Sequence, residues 1–251
     1  MGSFASEKRT FFYNMQRYGV SLSKEEIKQI AITAGMIGFI WSFNKWGDAT
    51  FDAVSGIQNL FLGAFFGFIA LFINQAGQRI GAVYYGYDPV YEYGIIGLLI
   101  GFVVTFASRG ILIFFLPGAI NLRHLSASRL GEFRYYTNDW EWAKIGFLGV
   151  MGNLMTAVIF SFFKGNLVVD YFVWMNLYFA WYSLIPAPGN VGLYLFYPHI
   201  HFWFFVVGLV LTTSLALFLV HPLLALFLGI VVGVTFMAKM FMKDYGYHEI
   251  G

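Results

Sequence analysis

No cysteine occurs among the 251 residues. That absence excludes disulfides, thiolate metal ligands and thiol nucleophiles, and it leaves the redox compartment open. Charge is scarce as well. Asp, Glu, Lys and Arg make up 11% of the chain, against roughly 25% in a soluble domain. The net charge of +2 is too small for a nucleic-acid footprint. There is no internal repeat and no low-complexity linker. The first 28 residues lack the short apolar core and small-residue cleavage site of a signal peptide. What the chain has is apolar surface: 59% of its residues are hydrophobic and thirty are Phe. Such a chain belongs in a bilayer. Its phenylalanines suit lipid, helix seams and lateral contact with other membrane subunits.

Ser23-Lys24-Glu25-Glu26 fits a capping box, in which Ser and Glu satisfy each other's free backbone N–H groups. An apolar helix is expected after it, over about 27–43. A second starts near Ser55 and runs through NLFLGAFFGFIALFI into INQAGQRIGAVYYG. A third apolar region covers 93–120, and polar sequence follows over 121–142. Further apolar segments lie at about 145–163, 167–185, 202–220 and 223–241. Each has about the ~20 residues that cross a hydrocarbon core.

The region 93–120 is ambiguous, because it holds Gly94, Gly97, Gly101 and Gly110 and is interrupted by Arg109. Lys and Arg accumulate on the cytoplasmic side. Seven crossings divide them seven inside and eight outside, which is no bias. If 93–120 enters and returns, thirteen lie inside and only Lys45 and Lys164 outside. The expectation is therefore an all-α polytopic membrane protein with six transmembrane helices plus a re-entrant or short-strand segment. Both termini are cytoplasmic, and the plasma membrane is the expected location. Non-helical backbone is tolerated at membrane depth only where protein or water covers it, so the returning part should be walled in by helices. The chain divides into a cytoplasmic N-terminal segment (1–28), a membrane core (29–201) with a cytoplasmic loop at 121–142, and a C-terminal transmembrane hairpin and tail (202–251). The N-terminal segment, with Phe11, Phe12, Tyr13 and Tyr18 among cations, fits either a membrane-surface helix or a helix packed on the protein's own loops.

The second helix ends on three side-chain amides. Asn74 and Gln78 are i and i+4 and share a face, with Gln75 beside them. This is the spacing of HExxH, which sets two zinc ligands and a general base on one helix face. Here the letters are N-Q-A-G-Q. In order along the chain come FFLPGAINL (114–122), IGFLGVMGN (145–153) and AWYSLIPAPGNVG (180–192). The succession resembles the intramembrane site-2 protease family, over about residues 57–196. In that family the order is HExxH, a strand with a Pro-Gly-Ala turn, a Gly-Pro-x-x-Asn helix start, and N-L-I-P-x-x-x-x-D-G.

The resemblance implies a site-2-protease-like core with its chemistry replaced. In the family two His and one Asp hold zinc while the Glu activates water. Asn74 and Gln78 stand at the His positions, Gln75 at the Glu, and Val191, or alternatively Asn190, at the Asp. An amide is a poor zinc ligand, and Gln is no general base near neutral pH. No zinc or other cofactor is expected, and no catalytic residue. Two accounts of the amides stay open: they knit helices together, or they face a retained peptide-binding groove. The groove would include Asn74, Gln75, Gln78, Asn153, Pro186 and Asn190.

Other residues admit two readings each. His199 and His201 are weak candidates for a displaced metal site, or they cap helix ends at the interface. Asp170 is either an intramembrane functional group or a solvated residue near Lys164. Arg123, Arg129 and Arg134, with Tyr135, Tyr136, Trp140 and Trp142, form a basic aromatic loop. It suits anionic lipid heads or a partner, and equally a plain topology determinant. The leading functional expectation is a non-catalytic pseudoprotease. It would be an accessory or scaffold subunit of a membrane complex, or a binder of transmembrane segments. Its partners are the bilayer and other membrane proteins, not nucleic acid. The alternatives are an active intramembrane metalloprotease using His199 and His201, and a small-solute channel lined by Asn74, Gln75, Gln78 and Asn153.

Overall fold

The computed structural model describes residues 4–47, 50–124 and 138–248. These are mostly helical. Helix α1 (Phe4–Asn14) runs into a π-helical turn, Met15–Gly19. Helices α2 (Lys24–Ser42) and α3 (Ala53–Tyr84) form an antiparallel pair. Strand β1 (Tyr87–Glu92), helix α4 (Ile95–Ala107) and strand β2 (Ala119–His124) follow. Then come α5 (Asp139–Phe160), α6 (Leu167–Ser183), the short α7 (Val191–Phe196), α8 (Ile200–Ala216) and α9 (Pro222–His248). Among the described residues three helices are long and apolar enough to cross a membrane: Ala53–Tyr84, Asp139–Phe163 and Pro222–Asp244. The helices at Ile95–Ala107 and Ile200–Ala216 are apolar but shorter.

The ends of the helices obey local chemistry. Ser23 Oγ accepts from the Glu26 N–H and Glu26 Oε2 accepts from the Ser23 N–H, so the expected capping box forms. Asp52, Asn138 and Asn166 each cap the helix that follows with a side-chain oxygen. Asn138 starts α5 at Asp139, six residues ahead of the apolar run at 145. The short helix α7 had no signal in hydropathy, because its six residues lie between a Pro-rich turn and the next apolar run.

The region 93–120 does return. β1 and β2 pair antiparallel, with Tyr87 opposite His124 and Glu92 opposite Ala119, which brings its two ends together. A short two-stranded sheet thus closes off the segment, whose body is helix α4. Helix α4 leads away from this pair, and Arg109 (φ 55°) and Gly110 (φ 77°) turn the chain back. That turn lies at the far end of α2: a side-chain carbon on Gly110 would sit 2.9 Å from Asn44 Cβ. Arg109 thus shares an end of the molecule with Lys45, which corrects the charge count that set the two on opposite sides.

The return through Phe114–Gly118 is non-helical, and from Phe115 onward it is buried. The Tyr182 hydroxyl donates to the Ile113 carbonyl, and Tyr91 donates to the Pro117 carbonyl at 2.5 Å. Phe115 packs on Phe179 of α6. Burial raises the Tyr91 phenol above its ordinary pKa, so it stays a neutral donor.

Two apolar cores flank the interface of α3, α5 and α6. One, around Leu154, Leu177, Val191 and Val210, joins α5 to α8. The other, around Ile37, Leu71, Phe115 and Phe179, joins α2, α3, the returning segment and α6. Small residues let α3 and α5 touch backbone to backbone. A side-chain carbon on Gly77 would lie 2.4 Å from the Leu148 carbonyl oxygen, and one on Gly149 would lie 2.7 Å from Gln78 Cγ. Gly-mediated approach of this kind is how helices pack where lipid removes the hydrophobic drive between them.

Candidate functional site: a chain of buried amides

The close approach of α3 and α5 places polar side chains between the two cores. Asn74, Gln78, Asn153, Asn176 and Ser183 are each no more than 1% exposed. Their hydrogen bonds form one directed chain. The Ile120 N–H of β2 donates to Gln78 Oε1 at 3.3 Å. Gln78 Nε2 donates to Asn74 Oδ1 at 2.6 Å. Asn74 Nδ2 donates to Asn153 Oδ1 at 2.8 Å and, more weakly, to Ser183 Oγ at 3.4 Å. Asn153 Nδ2 donates to the Ala70 carbonyl at 2.8 Å and to Asn176 Oδ1 at 3.0 Å. Asn176 Nδ2 ends the chain on the Phe172 carbonyl at 2.9 Å. Every amide oxygen in it accepts an N–H, and the dipoles run head to tail, an arrangement in which successive bonds polarise one another.

The chain ties β2, α3, α5 and α6 at one depth. Its sheet end follows from register. Tyr91 and Ile120 are opposite each other in the β1–β2 pair. The Tyr91 N–H points outward to Glu26 Oε1 at 2.9 Å, and the Ile120 N–H points outward to Gln78. A second tie lies at the next residue after Gln78. Arg79 pairs with Glu26 and donates to the Gly19 carbonyl at 3.3 Å, with both charged side chains buried. Glu26 therefore joins α2, β1, α3 and the N-terminal turn.

The other expected site residues lie apart from this chain. Gln75 is 3% exposed, but its amide makes no hydrogen bond and faces α2 and the π-helical turn. Val191 is fully buried and packs on α5 at Gly146. Asn190 is buried and donates to the Tyr182 and Ile185 carbonyls, both at 2.8 Å, which closes the turn after α6. Pro186 in that turn is exposed. His199 is exposed and sets its ring edge-on to Trp140 of α5, 4.2 Å between centroids. His201 turns to α9, where Nε2 lies 2.8 Å from Asp244 Oδ2. The two histidines engage different elements. Asp170 is half-buried in the first turn of α6 and lines a cleft with Lys164. Arg129, Arg134, Tyr135 and Tyr136 lie outside the described residues.

The donor set does not fit zinc. The oxygens of Asn74 and Gln78 already accept N–H groups, and zinc favours His nitrogen, Cys sulfur or carboxylate. Among the described residues no group of three or more His, Cys, Asp or Glu converges. The arrangement's chemical capacity is to hold four elements in register. Sequence reasoning missed Asn176, Ser183 and the Glu26–Arg79 pair. Asn176 had a signal: it is a lone amide within the apolar run FVWMNLYFAW. Comparison of the chain with known protein families, with curated proteins and with solved structures gives no match.

Proposed function

We propose that this protein is a non-catalytic, site-2-protease-like integral membrane protein, acting as an accessory or scaffold subunit of a membrane complex. The observation that carries this reading is the amide chain. Where the resemblance calls for two ligands, Gln78 donates to Asn74 and Asn74 donates to Asn153, and each of the two amide oxygens already accepts an N–H. Gln75, at the position of the general base, faces another part of the molecule. Of the two accounts of the amides, helix-knitting is the one these bonds support.

The membrane arrangement belongs to the same proposal. Six crossings are α2, α3, α5, α6, α8 and α9, with the segment between β1 and β2 entering and returning. With Arg109 reassigned, Lys45, Arg109 and Lys164 are outside and the other twelve Lys and Arg inside, which keeps the inside bias. Metal analysis and a cleavage assay on the purified protein test the reading. The expected result is no tightly held zinc and no cleavage of a helical substrate, with a defined set of membrane proteins retained on gentle extraction. One zinc per chain with zinc-dependent cleavage overturns it.

A further inference from the structure

Two charges of opposite sign face one cleft at an end of the bundle without joining. The cleft, of about 320 Å³, opens between the turn after α5, the start of α6 and the turn after α8. Lys164, Gly165, Asp170, Val173, Trp174 and Phe218 line it. Small-ligand pockets start at about 300 Å³. Lys164 Nζ donates to the Leu217 carbonyl and sits 4.6 Å from the centre of the Phe218 ring. An ammonium has three N–H donors, so two remain. Partial burial holds Lys164 below the ordinary lysine pKa, and attraction to Asp170 offsets this only in part. The Asp170 carboxylate accepts no hydrogen bond and forms no ion pair among the described residues. The cleft thus carries one under-matched cation and one under-matched anion.

The complement of such a pair is a zwitterion, with its anion at Lys164 and its cation at Asp170. The aromatic wall narrows the choice of cation. A quaternary ammonium is recognised on open ring faces. Here Phe218 stacks on Trp174 at 4.6 Å and also carries Lys164, and Trp174 stacks on Tyr178 at 5.7 Å. These contacts occupy the rings. A primary ammonium instead donates N–H groups to a carboxylate, which is what the cleft presents. Position points to a lipid as the carrier. Lys164 directly follows Asp139–Phe163, a helix long and apolar enough to cross a membrane, so the cleft stands where that helix meets the headgroup layer. Phe163, Leu167, Leu215 and Leu219, each within three residues of a lining residue, are exposed apolar side chains against which acyl chains can lie. Phosphate, primary ammonium and acyl chains together make a phosphoethanolamine lipid.

We propose that this cleft binds the headgroup of a phosphoethanolamine lipid, its phosphate on Lys164 and its ammonium on Asp170. The inference rests on the chain lying in a bilayer and is independent of whether it cleaves peptides. The test is saturable binding of tritiated dioleoyl phosphatidylethanolamine to the full-length protein in detergent micelles. The competitors are dioleoyl phosphatidylcholine, dioleoyl phosphatidylglycerol and water-soluble phosphoethanolamine. The expected result is one site, on which each of the three competes about tenfold or more less well than unlabelled phosphatidylethanolamine. Asp170→Asn should weaken phosphatidylethanolamine about tenfold, the loss of one charge-assisted contact, and leave phosphatidylglycerol unchanged. A merely structural role for Asp170 would lower both lipids alike. Lys164→Gln should weaken both, since each brings a phosphate. Five results overturn the proposal: no saturable site, equal competition by phosphatidylcholine, unchanged phosphatidylethanolamine binding in Asp170→Asn, an equal loss of both lipids in that variant, or equal competition by soluble phosphoethanolamine. The last means that the site takes a free zwitterion and not a lipid.

Discussion

Asn153 is the side chain on which the amide chain converges. It accepts from Asn74 and donates to both Ala70 and Asn176. Side-chain hydrogen bonds in membranes contribute about 0.6–2 kcal/mol each, and a buried group that loses its partner adds a desolvation cost. Asn153→Leu should therefore destabilise the protein by about 2–4 kcal/mol, read from an SDS unfolding titration. The cycle with Asn74→Leu is the sharper measurement. Each single change strands the partner's amide, whereas the double change removes both. The double variant should cost less than the two singles together, by about 0.5–3 kcal/mol. Additive effects would mean that the two amides do not act on each other.

Helix pairing depends on where glycine stands within an element, not on how many there are. Gly77 on α3 has no room: an added methyl meets the Leu148 carbonyl of α5. Gly35 on α2 is exposed, and nothing lies within 4 Å of an added methyl. Gly77→Ala should thus destabilise by about 1–3 kcal/mol through overpacking. Gly35→Ala should stabilise by about 0.5–1 kcal/mol, because Ala restricts the unfolded chain and favours helix. Thermal unfolding in detergent compares the two. A rise for Gly77→Ala would contradict the α3–α5 contact described above, and a fall for Gly35→Ala would contradict the open surroundings of that glycine. The returning segment is held differently. Two of its backbone carbonyls, those of Ile113 and Pro117, are met by the hydroxyls of Tyr182 and Tyr91.

At the scale of the molecule, the helices alternate in direction and their connections fall at two ends. Phe51 (between α2 and α3), Ile111 (after α4) and Leu219 (between α8 and α9) are exposed at one end. Val20 (before α2) and Tyr197 (between α7 and α8) are exposed at the other. The chain has no cysteine, so each position can be labelled singly. In sealed vesicles, a membrane-impermeant maleimide should reach Phe51→Cys, Ile111→Cys and Leu219→Cys from the same face. It should reach Val20→Cys and Tyr197→Cys from the opposite face. Labelling of Ile111→Cys together with Val20→Cys would show that the segment after α4 turns back short of the outer surface, against the arrangement proposed here.

The sequence by itself determined that the chain is dominated by apolar helices, that Ser23 and Glu26 cap α2, and that a Gly-rich region breaks the helical pattern. Hydropathy and capping are local, so they are legible one segment at a time. It also marked Asn74, Gln75, Gln78 and Asn153 as notable, since amides are conspicuous in an apolar run. Only the tertiary structure decided what those amides do. Asn74 and Gln78 turn toward α5 and join Asn153 across 79 positions of chain, while their neighbour Gln75, rotated about 100° around the helix, borders an apolar cavity instead. The turn at Arg109 was decided the same way, because a charge count reads residues in order and cannot see which end of α2 they reach. Hydrogen-bond partners and depth depend on which helix faces are brought together, and no single segment carries that information.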